Sequence, residues 1–339
     1  MARIGIIPQV PLSLFRGGAE IQALKTYEAL LRQTKHDIEF VSLGGEMKGY
    51  DLLHFFGCCC PSWIRWLSGS TKTVVSPIFF YNKLSLAFFF KYLKHLPGTI
   101  AWDLNRALCQ VERLLPNSNA EANQLSDIFR YDKNKIIVVP NGVEEDFVGT
   151  NFSIFRDRYL PSHLRDRDFI LSVHRVEKRK NTLLLMEAIG RSDFSLVHIG
   201  PFSLSIKDRN YIAKIKEKAR KYPKKYVFLG QLPRNELKNA YASAKVHALI
   251  SEYETPGLAS LEAGINGANL VVLNSKPVLE YFHDIAWVVD RNVDSIAKAI
   301  EIAMKSDRNH FSQAEIVKTK YSWRKVASIT EKIYDSICL

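Results

Sequence analysis

The sequence predicts an α/β protein built from two doubly wound, parallel-sheet halves. Three observations carry that expectation. Short apolar runs of strand length alternate with stretches of helical period, the pattern of parallel strands joined by helical crossovers. The alternation restarts near residue 168. Between the two series, from about 145 to 165, periodicity fades through EEDFVGTNFSIFRDRYLPSHLRDR, which places a linker there.

In the first half, RIGIIPQ reads as a strand, and the loop PLSLFRGGAE leads into a helix, EIQALKTYEALLRQ. Ile21, Leu24, Tyr27, Leu30 and Leu31 recur along it at helical spacing. HDIEFVSL, YDLLHFFG, TKTVVSPIFF, RLLPNSN and KIIVVPNG supply the following strands. The second half opens with RDFILSVHR, a strand feeding a basic loop, and continues with TLLLMEAIG, a helix stopped by glycine. FSLVHIG, KYVFLGQ, KVHALIS and NLVVLN are its further strands. Ligands of doubly wound sheets sit at the carboxyl ends of the strands, and two such halves facing each other would leave a cleft. The expected limits are 1–155 for an N-terminal acceptor-binding domain and 156–320 for a C-terminal donor domain. Residues 321–339 are expected to form a last helix returning toward the first domain.

The chain of 339 residues is 47% hydrophobic, ample for two packed cores. It contains no run of about 18 apolar residues, so no membrane-spanning helix is expected. MARIGIIPQV lacks the charged, apolar and small-residue order of a signal peptide, which makes the cytoplasm the expected compartment. Cys58, Cys59 and Cys60 are consecutive while Cys109 and Cys338 stand alone, a pattern of reduced thiols with neither disulfide nor zinc spacing. The formal net charge of +12 favours anionic partners. Nucleic acid is disfavoured among them, because the chain shows no helix-turn-helix, zinc or RNA-binding signature.

Three stretches could carry chemistry. Gly17 and Gly18, within FRGGAE, stand between the first strand and its helix, where glycine admits close approach and a helix N-terminus favours anions. The stretch is not GxGxxG, which argues against a dinucleotide cofactor. A tight strand-to-helix turn explains it equally well. HRVEKRK, from His174 to Lys180, follows its strand directly. Four cations in seven residues at a strand's carboxyl end are costly to gather without an anion, and Arg and Lys suit phosphate. A solvated basic loop is the alternative, but the position at the strand's carboxyl end favours a phosphate site.

The third stretch is ETPGLASLEAG, from Glu254 to Gly264. Thr255 can cap a helix, Pro256 fits its first turn, and the helix should run from Pro256 to Asn266. Glu254 then lies just outside it and Glu262 two turns within, about 10 Å away at helical rise. That exceeds the roughly 5–5.5 Å between the carboxylates of a retaining glycosidase and lies nearer the wider pair, about 6.5–9.5 Å, of an inverting one. The amides around Gly257 and Leu258 lie between the acids and invite a phosphate. A phosphate flanked by two hydroxyl-binding acids suggests a nucleotide sugar. Asp166-Arg167-Asp168 imitates a metal-binding DxD but precedes its strand, at the wrong end for a ligand, so no metal is expected.

Together these residues resemble the retaining GT-B glycosyltransferases of glycosyltransferase family 4. The resemblance runs through GGAE, DLLH, LLPNSNAEANQL, VVPNGVEEDF, LSVHRVEKRKN, LVHIG, VFLGQLPRNELKNAYASA, SEYETPGLASLEAG and YSWRKVASITEKIY. The E-x7-E spacing of Glu254 and Glu262 is its most specific element. The resemblance implies two Rossmann-like domains facing across a cleft. It implies that Arg175 and Lys180 hold a donor diphosphate and that Glu254 stands beside the donor sugar. Glu262 would bind the ribose hydroxyls, with Gly17 and Gly18 near the phosphates and acceptor. Amides of Gly257, Leu258 and Ala259 would complete the phosphate cradle, and Gly230 and Gln231 would lie against the base.

The implied reaction moves a sugar from a nucleoside-diphosphate sugar to an acceptor hydroxyl with retention, without metal or cofactor. The expected acceptor is a saccharide or lipid-linked saccharide of cell-envelope or polysaccharide synthesis. The sequence departs from the family at the fourth strand, where Ser76 and Pro77 replace a histidine, at His174 in place of a glycine, and at Thr255-Pro256-Gly257 in place of glycine-aromatic-glycine. These departures keep an alternative open, an inactive glycosyltransferase-like sugar-binding or scaffold subunit. A nucleotide-sugar epimerase on the same fold lacks the two glutamates with GGAE. Residues 79–96, FFYNKLSLAFFFKYLKHL, place Lys83, Lys91, Lys94 and His95 on one face of a helix and most aromatics opposite. Such a helix either rests peripherally on an anionic membrane or forms part of the core with a wet edge.

Overall fold

The structure, a computed structural model, describes residues 1–10, 17–41, 48–58, 60–80, 84–129, 131–255, 257–308 and 310–338, with side chains throughout except at 84–88 and 310–312. Among the described residues, eleven strands form two sheets. The first contains β1 (Arg3–Ile7), β2 (Asp37–Phe40), β3 (Leu52–Phe56), β4 (Lys72–Ser76) and β5 (Arg113–Leu114) in the order β2-β1-β3-β4-β5. The second contains β6 (Ile170–Val173), β7 (Leu196–Ile199), β8 (Tyr226–Phe228), β9 (Val246–Leu249), β10 (Asn269–Leu273) and β11 (Ala286–Val289) in the order β11-β10-β9-β6-β7-β8. Every pairing is parallel. The central strands are covered on both faces, which is why LLHFF, VHAL and NLVVL read as continuous apolar runs rather than alternating ones.

The chain divides into two compact units, Met1–Gly142 with Tyr321–Leu339, and Val143–Lys320. The second unit therefore begins before the expected residue 156. Asn266 explains part of the difference: its side chain accepts from the Gly149 N–H at 2.8 Å and donates to the Phe147 carbonyl at 2.8 Å. Within the segment read as a linker lies the helix Phe152–Tyr159, which buries only Phe155. One buried position in eight residues gives no readable period. Arg156 nevertheless ties this helix to the Arg165, Arg167 and Ser243 carbonyls at 2.9, 2.9 and 2.6 Å.

Two further differences concern strands. KIIVVPNG makes no strand: it runs beside β5 through Ile137 N–H to Leu114 and Val139 N–H to Pro116, both 2.9 Å, with one isolated bridge. Conversely, β11 lies at the sheet edge with Ala286, Trp287 and Val288 partly or largely exposed, so its sequence lacks a buried-strand signature.

The final helix, Trp323–Cys338, belongs to the first unit. Trp323, Val326, Ala327, Thr330, Ile333, Tyr334 and Ile337 form one buried stripe at helical spacing. Polar contacts also fix it. His54 on β3 bridges Tyr334 Oη at 2.7 Å and Ser76 Oγ at 2.9 Å, and burial drives its pKa down to about 3, so the ring is neutral. His36 meets Asp335 at 3.0 Å and Lys35 meets it at 3.2 Å. No helix among the described residues is long and apolar enough to cross a membrane.

Candidate functional site

In the second sheet, β6 sits between β9 and β7, and the chain departs from it toward both edges. Ligands of open parallel sheets bind where the strand order reverses, beyond the carboxyl ends. Here that point falls between β6 and β9, and the loops leaving them are His174–Asn181 and Ile250–Gly257. The loops are stitched together. Glu252 N–H donates to the Arg179 carbonyl at 2.8 Å, Arg179 Nη1 to the Tyr253 carbonyl at 3.1 Å, and Asn181 Nδ2 to the Ile250 carbonyl at 2.9 Å. Asn181 takes a left-handed conformation, φ 54°, which its short amide side chain tolerates.

Across this seam Lys180 Nζ and Glu254 Oε1 are in direct contact, with side chains only 11% and 14% exposed. Burial alone would push the Glu254 pKa up, but Lys180 and Arg179 outweigh it and hold the carboxyl below its ordinary value. Arg179 also pairs with Glu177 at 2.6 Å. Two of the four cations, Arg179 and Lys180, thus have carboxylate partners within the protein. Arg175 stands half-buried just beyond β6, next to His174, whose ring lies edge-on to His198 at 4.6 Å.

The helix after Glu254 spans Leu258–Ile265, shorter at both ends than the expected Pro256–Asn266. Its N-cap is Gly257, without a side-chain cap bond, and not Thr255. Gly257 has φ 109° and ψ 97°, a backbone conformation that favours glycine, and a Cβ there would press on the Leu249 side chain at 2.9 Å. Pro256 lies outside the described residues. The first-turn N–H groups of Leu258 and Ala259 lack an intrahelical acceptor, as at any helix start. They open at the same carboxyl edge as Lys180 and Glu254.

Glu262 lies inside this helix in a different setting. Its Oε1 accepts from Arg234 Nη1 at 2.8 Å and its Oε2 from Tyr241 Oη at 3.1 Å. Burial raises its pKa, and Arg234 and Tyr241 offset only part of the rise. The two acids of the E-x7-E pattern are therefore pushed in opposite directions, one held charged by an adjacent lysine and the other resisted by its burial. Gly230 and Gln231 follow β8 at the same edge, and the Gly230 carbonyl accepts from Gly200 N–H at 2.7 Å.

In the first unit, Gly17 caps the helix Gly18–Leu31, with its N–H bonded to Glu20 Oε2 at 2.9 Å. At Gly18 a Cβ would meet nothing within 4 Å, and φ is not positive. Among the described residues, neither strain nor local packing asks for glycine there. Phe15 and Arg16 of the same motif lie outside the described residues. So do Tyr81–Lys83 of the 79–96 segment, whose described helix is Leu84–Leu93. The expected split into a cationic and an aromatic face does not hold there. Lys94 is buried, with its ammonium on the Ile128 carbonyl, while Phe89 and Tyr92 are exposed alongside Lys91.

Sequence reading assigned no role to Arg234, Glu144 or Tyr241. Arg234 and Tyr241 lie within VFLGQLPRNELKNAYASA and Glu144 within VVPNGVEEDF, but their pairing spans 90 residues of chain and has no local pattern. Asp166 and Asp168 are exposed ahead of β6, away from the carboxyl edge.

Residues 156–319 match the model of the family described as glycosyl transferases group 1. An uncharacterized glycosyltransferase of Methanocaldococcus jannaschii is 28% identical over 243 residues, and the aligned region spans 67% of this chain and 60% of that relative's length. Among solved structures, HepE of Anabaena in complex with UDP and glucose superposes with a TM-score of 0.80 at 13% identity, covering 99% of this chain and 100% of that one. Sucrose-phosphate synthase of Thermosynechococcus elongatus gives 0.82 at 16%, covering 99% of each. At these identities the likeness establishes the fold, GT-B, with its two parallel-sheet α/β domains.

Proposed function

Because residues 156–319 match the model of the glycosyl transferases group 1 family, we propose that this protein moves a sugar from a nucleoside-diphosphate sugar to an acceptor hydroxyl with retention at the anomeric carbon. The observation that carries the proposal is the seam at the switch point. Lys180 and Glu254 are in contact at the carboxyl edge from which the helix Leu258–Ile265 starts, with Arg175 on the same loop as Lys180 and Glu262 just over one turn into that helix. In this reading Arg175, Lys180 and the amides of Leu258 and Ala259, with that of Gly257, stabilise the negative charge that grows on the leaving diphosphate. Glu254 faces the transferred sugar, Glu262 the ribose, and Gly230 and Gln231 the base. No metal or cofactor enters this account. Gly17 and Gly18 are assigned to phosphates and acceptor on the family resemblance, and among the described residues nothing crowds the Gly18 Cα.

HepE and its UDP make uridine the first base to try. A thermal-shift panel of UDP, GDP, ADP and their glucose conjugates tests donor binding before any acceptor is known. One nucleotide is expected to raise Tm by several degrees at a hundredfold excess over Kd, about 2.7 kcal/mol of linkage. If no nucleotide shifts Tm, the donor assignment fails; binding without turnover would favour the scaffold reading. For the acceptor we propose a saccharide or lipid-linked saccharide, with the protein working at the cytoplasmic face of a membrane. Exposed Phe89, Tyr92 and Leu96 beside Lys91 and His95 support peripheral contact with anionic lipid. Flotation is expected with phosphatidylglycerol vesicles and to fall at least several-fold with phosphatidylcholine alone; equal flotation, or none, removes the membrane contact.

A further inference from the structure

Arg234 occupies the middle of a four-residue polar chain. One edge of its guanidinium donates to Glu262 Oε1 through Nη1 at 2.8 Å. The opposite edge meets Glu144 Oε2 through Nε at 3.1 Å and through Nη2 in closer contact. Its face lies 4.3 Å over the Phe147 ring. Tyr241, fully buried, takes the other oxygen of Glu262 at 3.1 Å. Glu262 is the least exposed of the three charged groups at 12%, against 36% for Arg234 and 25% for Glu144.

The consequence lies in the oxygens of Glu262. A carboxylate offers about four lone-pair sites, two on each oxygen. Arg234 takes one on Oε1 and Tyr241 one on Oε2, so each oxygen keeps a site, and the two are side by side. Two adjacent acceptors of full negative character suit two adjacent hydroxyl donors. The arrangement works only if the carboxyl is ionised and its plane fixed, and burial opposes ionisation. Arg234 supplies the compensating charge, and its fork geometry fixes the plane. Glu144 in turn prevents Arg234 from swinging into solvent. Apolar residues would hold this helix as well or better, because buried ion pairs add little to net stability.

We propose that Arg234 is a positioning residue that holds Glu262 ionised and oriented to receive the vicinal 2′- and 3′-hydroxyls of a ribonucleotide, with Glu144 anchoring it. The assignment rests on the ribose role given to Glu262 above and goes beyond it by naming what makes that carboxylate competent and selective for ribose over deoxyribose.

Calorimetric titration of the full chain with UDP and with 2′-deoxy-UDP tests it, or with the GDP or ADP pair if one of these gives the larger thermal shift. The wild type is expected to prefer the ribonucleotide about tenfold or more, the loss typical of a hydrogen bond to a charged group. Arg234→Gln should reduce that preference to about twofold or less, mainly by weakening the ribonucleotide and sparing the deoxy form. Arg234→Lys, which keeps the charge without the fork, should restore part of it, and Glu144→Gln should fall between wild type and Arg234→Gln. A general loss of structure would weaken both nucleotides together and leave the ratio in place, so the ratio separates positioning from folding. Should Arg234→Gln keep the wild-type ratio while Glu262→Gln loses it, the role of Arg234 is overturned and the ribose assignment stands. If wild type and Glu262→Gln both bind the two nucleotides equally, the ribose assignment falls and takes Arg234 with it.

Discussion

Glu254→Gln is expected to lower sugar transfer about 10²–10³-fold, Lys180→Ala to lower it by a similar factor, and the double variant to be no worse than the poorer single one by more than a few-fold. The reason is their contact. Lys180 and Glu254 touch across the seam between the β6 and β9 loops, with little exposure on either side. Residues that form one unit lose their function together, so their effects do not add. Stability should separate the two variants. Lys180→Ala leaves a nearly buried carboxylate without its main partner, a change that typically destabilises by about 3–5 kcal/mol. Glu254→Gln leaves a lysine that can reach toward water, and the loss should be smaller. The pH dependence follows the depressed pKa of Glu254. Its contribution is complete above the unfolded value of 4.5 and disappears as pH falls through the lower folded value. Single-turnover transfer with the donor found in the thermal panel, beside circular dichroism of each variant, checks all of this. Either single variant at full rate, or a double variant with multiplied losses, would show that the two residues are not one catalytic unit.

The parts of this protein that were legible in its sequence are those fixed by local period and local chemistry. VHAL and NLVVL announced central strands because burial on both faces removes the alternation that solvent would impose. ETPGLASLEAG announced a helix start beside two acids because glycine and the spacing of the glutamates are written in one segment. What could not be read depends on partners far along the chain. KIIVVPNG has strand composition, yet its pairing with β5 is confined to a bridge and two hydrogen bonds. The basic loop looked like an unneutralised cluster because Glu254, 74 residues from Lys180, is not visible as its counterion. Lys94 looked solvent-facing on a helical wheel, but the wheel does not contain the Ile128 carbonyl that receives it. Arg234 is the clearest instance. Nothing near it in sequence names Glu144 or Glu262, and only the fold shows that one guanidinium serves both.

Glu262→Gln is expected to weaken ribonucleotide binding at least about tenfold while leaving the folded protein as stable as wild type at pH 8, or more stable. The sign follows from burial. Glu262 has its folded pKa raised above the unfolded value of 4.5 despite Arg234 and Tyr241. Well below pH 4.5 the carboxyl is protonated in both states and contributes nothing to the pH dependence. As pH rises past the unfolded value, the unfolded chain gives up its proton first, and wild-type stability declines until pH exceeds the folded value, after which the loss is constant. Glutamine cannot ionise, so its advantage over wild type should grow through that window and then level off. Its removal leaves no orphaned buried charge, because Arg234 keeps Glu144 and is itself 36% exposed. Glu254→Gln should show the opposite slope, with wild type gaining on the variant as pH rises from the lowered folded value toward 4.5. Urea denaturation of both variants from about pH 2.5 to 8 covers both windows and measures the two slopes. Parallel slopes would mean that the two glutamates sit in equivalent electrostatic settings, and the division between a carboxylate stabilised by its lysine and one strained for binding would have to be abandoned. The expected divergence has a functional basis. A carboxylate that folding would rather keep neutral is held charged by Arg234 at some expense of stability, and the return is a pair of acceptor oxygens ready for the ribose diol.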